Sequence, residues 1–388
     1  MKILERPIMP DGFECASVNC GLKDEGKDLS VIVTKEKANA AGVFTKNLFP
    51  GVPVVLGRKI IEKGELRAIV ANSKISNVGT GDLGIENAKR TAKAVALEFD
   101  IPVEDVIMSS TGVIAMQLKI DLIENGIKGL SEVMSKNPVV AAEGIMTTDT
   151  YPKAISIKVN DAVITIIGKG SGMIEPDMAT MLVYILTDAK IDKADLSKML
   201  KDAVKDSFNM LSVDTDTSTS DTCLILANGL SGDIDKNTFF DALKFACIKM
   251  TEMLARDGEG ASKLLTAEVN GAKNESEARI LSKSLINSPL IKTMAYGADP
   301  NIGRILMALG KCNECHIIPE KMEAVINGTI VYQDSNKADF DEDNLRKSIS
   351  GNKVSITINL NVGSGSAKAY GCDLTQGYVE ENAAYYSS

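Results

Sequence analysis

The chain has 388 residues, 52 acidic against 43 basic side chains for a formal net charge of −9, and 44% hydrophobic residues. That balance excludes the basic face that nucleic acid or an anionic membrane requires, and the apolar content supports a sizeable core in two or three domains, or in one large α/β body with a smaller partner. There is no apolar run of about 18 residues for a membrane span, no apolar signal segment after Met1, and only seven cysteines, so a cytoplasmic protein with reduced thiols is expected.

Along the chain, 66–72 (LRAIVAN) reads as a short strand and 86–99, rich in Ala, Lys and Glu, as a helix. Residues 154–159 alternate with period two, and 163–167 form a denser apolar strand. The glycine-rich loop 168–172 follows and reads as a tight turn, because it lacks both the Walker spacing and G-x-G-x-x-G. Residues 180–187 (TMLVYILT) are apolar enough for a fully buried strand. Helices are predicted over 193–210, with Asp192 as cap, and over 239–256. A strand at 264–269 and a helix at 275–286 come next, and then short strands at 324–326, 330–333 and 354–362. This change of texture predicts an N-terminal domain over 1–275 and a smaller C-terminal α/β domain over 276–388.

Chemistry is constrained by scarcity. There is no Trp, and His316 is the single histidine, so a zinc site with two histidines is excluded and any Ser-His-Asp triad would have to use that one imidazole. Cys312-Asn313-Glu314-Cys315-His316 has the spacing of c-type haem attachment, but that chemistry requires export; two ordinary thiols beside a satisfied histidine is the preferred reading. The polar run 214–222 lacks the glycine and terminal glutamate of a calcium loop and reads as a surface loop of Asx and Ser/Thr turns. Thr180 stands where a polar turn meets a buried strand, within Glu175-Pro176-Asp177-Met178-Ala179-Thr180-Met181-Leu182.

From about residue 11 to the C-terminus the chain resembles the ornithine acetyltransferases, the glutamate N-acetyltransferase (ArgJ) family of arginine biosynthesis. The most specific match is Lys169-Gly170-Ser171-Gly172-Met173-Ile174 through Ala179-Thr180-Met181-Leu182. Further blocks follow in order: Ser110-Thr111-Gly112-Val113-Ile114, Thr147-Thr148-Asp149-Thr150-Tyr151-Pro152-Lys153, Gly258-Glu259-Gly260-Ala261, Asp299-Pro300-Asn301-Ile302-Gly303-Arg304, and the tail from Asp373 to Ser387. The resemblance implies a layered α/β sandwich of helices around β-sheets (DmpA/ArgJ-like), with a smaller α/β C-terminal domain. It implies that the chain cuts itself between Ala179 and Thr180, and that Thr180 then serves as an N-terminal nucleophile with Thr111 and Gly112 as oxyanion donors. Substrate contacts fall to Thr147, Lys169, Thr180, Glu259, Asn382 and Ser387. The implied reaction moves acetyl from N2-acetyl-L-ornithine to L-glutamate by a ping-pong route, with no cofactor and no metal. The two fragments stay together in an α2β2 heterotetramer that takes small-molecule substrates and neither nucleic acid nor membrane. Whether acetyl-CoA is a second donor separates bifunctional from monofunctional members, and no single residue here decides it.

Departures from the family pattern are Lys74-Ile75-Ser76-Asn77 for a Gly-Asn-Ala-Asn type segment, Ala115 and Thr215 for glycine, Leu118-Lys119 for Leu-Pro, and Ile302 for Trp. Two alternatives stay open: an N-terminal-nucleophile aminopeptidase or amidase, in which water resolves the acyl-enzyme, and a non-catalytic paralogue. A threonine hydroxyl needs a base, and in a chain with one histidine a freed α-amine, with a pKa near about 7.7–8.0, is an attractive one.

Overall fold

The structure is a computed structural model, and it describes residues 1–175 and 181–383. The chain divides into two compact units, one of residues 1–170, 176–209 and 217–250, the other of 171–175, 210–216 and 251–388. The expected boundary at 275/276 falls inside the second unit, because the strand beginning at Leu264 pairs there and not with the first sheet.

Among the described residues, nine strands build the sheet of the first unit. They are β1 (Lys2–Ile3), β2 (Phe13–Val18), β3 (Leu29–Phe44), β4 (Glu65–Asn72), β5 (Val106–Ser110), β6 (Lys153–Val159), β7 (Ala162–Lys169), β8 (Leu182–Lys190) and β9 (Thr222–Asp233), in the order β1-β6-β7-β8-β9-β3-β4-β5 with β2 also on β3. The β4–β5 and β8–β9 pairs are parallel and the rest antiparallel. Alternation sends Leu29, Val31, Ala68 and Val70 into one core, where they meet Ala88, Ala92 and Val95 of the helix Gly81–Phe99 and Ile123 and Ile127 of Ile120–Ile127. Ile32, Ile69 and Ala71 enter a second core with Ala141, Ala142 and Ile145 of the helix Val139–Ile145. Both faces of the sheet are thus covered. This explains why β7 is buried at every position and β8 at every position but its last.

The second unit holds β10 (Leu264–Ala272), β11 (Glu323–Ile326), β12 (Thr329–Gln333), β13 (Asn336–Lys337), β14 (Lys353–Asn359) and β15 (Gly365–Cys372), in the order β13-β12-β11-β14-β10-β15. The helix Glu275–Asn287 packs on β10 and β15, and the Asn274 side chain caps it by accepting the Glu277 N–H. The other predicted helices stand with shifted ends. The one from Lys193 stops at Asp206, and Asp192 occupies its N-cap position without a side-chain cap bond, its carboxylate lying 3.6 Å from Lys236. The architecture is α/β with two sheets and helices packed against them.

Candidate active site

In the first unit, β5 ends at Ser110 and delivers Thr111 and Gly112 beside the 73–78 segment. Backbone bonds lace the two together: Thr111 N–H to Asn72 O (3.0 Å), Val113 N–H to Lys74 O (2.9 Å) and Ser76 N–H to Val113 O (3.1 Å). Asn72 braces the junction, accepting from Ser110 Oγ at 2.6 Å and donating to Ile75 O at 2.8 Å. Gly112 has φ +125°, and a Cβ there would fall 2.2 Å from the Lys74 carbonyl carbon. Only glycine fits, for its dihedral and for its approach to backbone. The Thr111 hydroxyl and the Gly112 N–H have no hydrogen-bond partner among the described residues, and Thr111 is buried. A hydroxyl and a peptide N–H side by side can stabilise a developing oxyanion.

The departures at residues 74–77 and at Ala115 sit beside this junction in the first unit. Lys74 (φ +75°), Asn77 (φ +54°) and Ala115 (φ +62°) all adopt left-handed backbone, as does Thr215 (φ +69°) in the second unit. Three of these, Lys74, Ala115 and Thr215, stand where the family pattern has glycine.

Thr147 and Lys169 come together: Lys169 Nζ donates to Thr147 Oγ1 at 3.2 Å, and Lys169 is buried at the end of β7. Beneath them lies Asp149, whose carboxylate accepts from the Thr147 N–H (2.9 Å), the Gly170 N–H (2.8 Å) and Lys153 Nζ (2.6 Å). Both side chains of the Asp149–Lys153 pair are fully buried. Burial works to raise the Asp149 pKa, but the Lys153 and Lys169 ammonium groups outweigh it and hold the carboxyl below its ordinary value. Lys23 Nζ donates to Met146 O (2.6 Å) and Lys27 O (3.2 Å), and its pKa is pulled down, chiefly by burial. Asp149 lies within the sequence block 147–153, but its role emerges only from the fold. A carboxylate four residues before a lysine, in a Thr-rich turn, was the signal available.

The loop after Lys169 is not a tight turn. Lys169 pairs with Leu182 across β7 and β8, so twelve residues, 170–181, separate the two paired positions in the sequence. Ala179 and Thr180 lie outside the described residues. The chain re-enters at Met181, whose carbonyl accepts the Thr222 N–H at 2.8 Å. The polar run ending at Thr222 is no surface loop at that end, since Asp221 and Thr222 are buried. Burial pushes the Asp221 carboxyl well above the carboxylate range, and its Oδ2 has no partner.

In the second unit, Glu259 follows a turn whose shape depends on small residues. Its carboxylate lies so close to Gly172 that a Cβ there would come within 2.2 Å, and its N–H donates to Ser171 O at 3.0 Å. Asn382, in the helix Gln376–Ala383, donates Nδ2 to Glu259 Oε2 at 2.7 Å and to Tyr378 O at 3.0 Å. That helix docks through Gly260, at φ +65°, where a Cβ would strike the Gly377 backbone at 2.3 Å, and through a 2.6 Å bond from Thr375 Oγ1 to Gly260 O. Ser387 lies outside the described residues. Asp214 accepts the N–H groups of Met173, Ile174 and Asp216, and burial raises its carboxyl.

Other motifs resolve into structure. Cys312 is buried, Cys315 half-buried with its thiol pushed up to about 11, mainly by burial, and none of the seven cysteines forms a disulfide. The His316 N–H donates to Glu277 Oε2 at 2.8 Å. Arg304, from the Asp-Pro-Asn block, donates to Leu290 O and Thr293 Oγ1, tying neighbouring helices. Among the described residues no cluster of three or more His, Cys, Asp or Glu is set to hold a metal, and no helix is long and apolar enough to cross a membrane.

Comparison with known proteins extends this geometry to whole chains. The "Arginine biosynthesis bifunctional protein ArgJ 2" of Clostridium acetobutylicum is 42% identical over 380 residues, covering 97% of this chain and 98% of that protein. The "Glutamate N-acetyltransferase Oat2" of Streptomyces clavuligerus is 39% identical over 386 residues, covering 98% of each. Among solved structures, the crystal structure of the arginine biosynthesis bifunctional protein argJ from Bacillus halodurans matches with a TM-score of 0.50 and 38% identity, covering 52% of this chain and 98% of that one. Residues 14–387 match the model of the ArgJ family, so both the glycine-dependent junction at Gly112 and the tail at Asn382 lie within the match, and the chain belongs to that family.

Proposed function

We propose that this protein transfers acetyl from N2-acetyl-L-ornithine to L-glutamate, releasing L-ornithine and N-acetyl-L-glutamate, in arginine biosynthesis and in the cytoplasm. The observation that carries the reading is the family match over nearly the whole chain, residues 14–387. The local geometry supplies a mechanism consistent with it.

The precursor cuts itself between Ala179 and Thr180 when Thr180 Oγ attacks the Ala179 carbonyl and the ester hydrolyses. The freed Thr180 amine is then the base for its own hydroxyl. Thr180 Oγ attacks the acetyl carbonyl of acetylornithine. The oxyanion is met by the Thr111 hydroxyl and the Gly112 N–H, ornithine departs as the amine, and the α-amine of glutamate resolves the acetyl ester through a second tetrahedral intermediate. Lys169 and Thr147 hold a substrate carboxylate. Glu259, oriented by Asn382, serves the cationic end of ornithine, and Ser387 completes the substrate contacts. The solved Bacillus halodurans chain is almost fully covered yet matches about half of this one, as a separate fragment of a cut chain would. Assembly of two copies of each fragment into an α2β2 tetramer, and use of acetyl-CoA as a second donor, belong to the same proposal.

The test is purified protein with acetylornithine plus glutamate, against acetyl-CoA plus glutamate, each with glutamate omitted as control. Acetylglutamate formed from acetylornithine supports the transferase. Acetate released equally well without glutamate points to the amidase instead. Intact mass of the wild type should show fragments 1–179 and 180–388, whereas Thr180→Ala should remain one chain without transfer. A mature, active sample with no N-terminus at Thr180 refutes the self-cleavage.

A further inference from the structure

We propose that Asp149 is the positioning residue that sets Thr147 and Lys169 as one anion-accepting pair. The inference rests on the substrate-carboxylate role given to those two residues above. It comes from where the Asp149 oxygens are spent. Oδ2 takes the N–H of Thr147 itself, and Oδ1 takes the N–H of Gly170, the peptide immediately after Lys169. One carboxylate therefore ties the turn carrying the hydroxyl to the strand end carrying the ammonium, and the result is the 3.2 Å approach of Lys169 Nζ to Thr147 Oγ1.

The third partner completes the logic. A buried carboxylate needs a counter-charge, and Lys153, fully buried at 2.6 Å, provides it. Lys153 sits on β6, whose Lys153 pairs with Gly168 on β7, so the counter-ion is anchored in the same sheet as Lys169. Its charge offsets that of Asp149, whose two backbone ties hold the Thr147 and Lys169 ends together. The arrangement is thus more than an ion pair holding the fold: two of its three bonds fix the main chain of the groups that would touch substrate.

The experiment separates positioning from stability with three variants. In Asp149→Asn the amide offers one acceptor where two N–H groups and an ammonium converge, so at least one tie is lost. In Lys153→Met the counter-charge is lost but both ties remain. In the double variant the buried charges are removed together, leaving a neutral pair of similar volume that the fold tolerates. Steady-state kinetics with acetylornithine and glutamate, and melting temperature, are measured on each. Lys153→Met should melt lower but keep its KM. Asp149→Asn and the double variant should both raise KM for acetylornithine by about tenfold or more with a smaller change in kcat, a fraction of the roughly 10²-fold cost of a 1 Å misplacement. The double variant should do so even where its melting temperature recovers. A double variant with the KM of Lys153→Met overturns the proposal, and so does failure of that neutral pair to fold, because the carboxylate would then serve the fold alone. Absence of transfer in the wild type would instead refute the function itself, so the two failures are distinct.

Discussion

Replacing Gly112 by Ala tests the oxyanion assignment most sharply. The added Cβ would lie 2.2 Å from the Lys74 carbonyl carbon, 2.3 Å from its oxygen and 2.7 Å from the Ile75 nitrogen. These are backbone atoms, so no rotamer change relieves the overlap, and one strand of the junction has to retreat by about 1 Å to reach ordinary contact near 3.5 Å. Retreat weakens the Val113 N–H to Lys74 O bond, worth about 0.5–1.5 kcal/mol, and holding an L-residue at φ +125° costs about 1–3 kcal/mol. A total near about 2–4 kcal/mol lies below the stability of most domains, so the variant should fold with a lowered melting temperature. The displaced N–H, however, no longer points where the oxyanion forms, and turnover should fall by about 10²–10³. Acetylglutamate formation and the thermal melt are the assays, with intact mass to score cleavage, which should slow if the same donors serve it. Turnover within about threefold of wild type in a folded, cut Gly112→Ala enzyme would refute the reasoning.

Deleting residues 382–388 removes Asn382 from Glu259, and should raise KM strongly while melting temperature and cleavage stay near wild type; unchanged kinetics would remove the tail from the site. Ala115→Gly and Thr215→Gly should each stabilise, since relief of about 1–2 kcal/mol of left-handed strain exceeds the entropy cost of glycine, about 0.5–1 kcal/mol; a lowered melting temperature would contradict this. Asp105 is buried between Lys37 and Lys63; burial works to raise its carboxyl, but the two lysines hold it below the ordinary value. Its contribution is therefore complete above the unfolded pKa near about 3.9 and is lost as pH falls through the lower folded value, so wild type and Asp105→Asn should differ in melting temperature at pH 7 and converge in strong acid. If the Thr180 amine is the base, kcat/KM should rise with pH through about 7–8, and His316→Gln should leave the profile unchanged; a loss of about 10²-fold would reinstate the imidazole.

Elements with undiluted periodicity were readable from sequence. The LRAIVAN strand, the capped helix Glu275–Asn287 and the alternating strand Lys353–Asn359 fall close to their predicted spans. The 16-residue β3 was not found, because Lys35, Glu36 and Lys37 interrupt its apolar pattern where its register shifts between Val33 and Ala38. β15 was hidden by its small residues, GSAKAYGC, which carry little strand propensity and gain their order from neighbouring strands. Site residues were reached through motif resemblance, which finds side chains that touch substrate. Asp149 acts through backbone N–H groups, for which a carboxylate four residues before a lysine is a weak signal, and Asp221 is unusual only because the fold buries it.

The strand order of the first sheet also bears on the proposed cut. A break after Ala179 would assign β1 to β7 to one piece and β8 and β9 to the other, yet β8 and β9 lie between β7 and β3. The first piece alone would be a sheet with its two middle strands missing, and the β7 edge that pairs with β8 would face the gap. Neither piece would carry the whole sheet. If the chain is cut after Ala179 as proposed, this strand order calls for the sheet to form before the cut. Pieces made from separate genes would meet as long, unpaired apolar edges, whose easiest partners are further copies of themselves. A cut after Ala179 in the folded chain would leave the β7–β8 and β8–β9 pairings in place, so the severed protein would inherit a sheet that its parts could not readily have assembled.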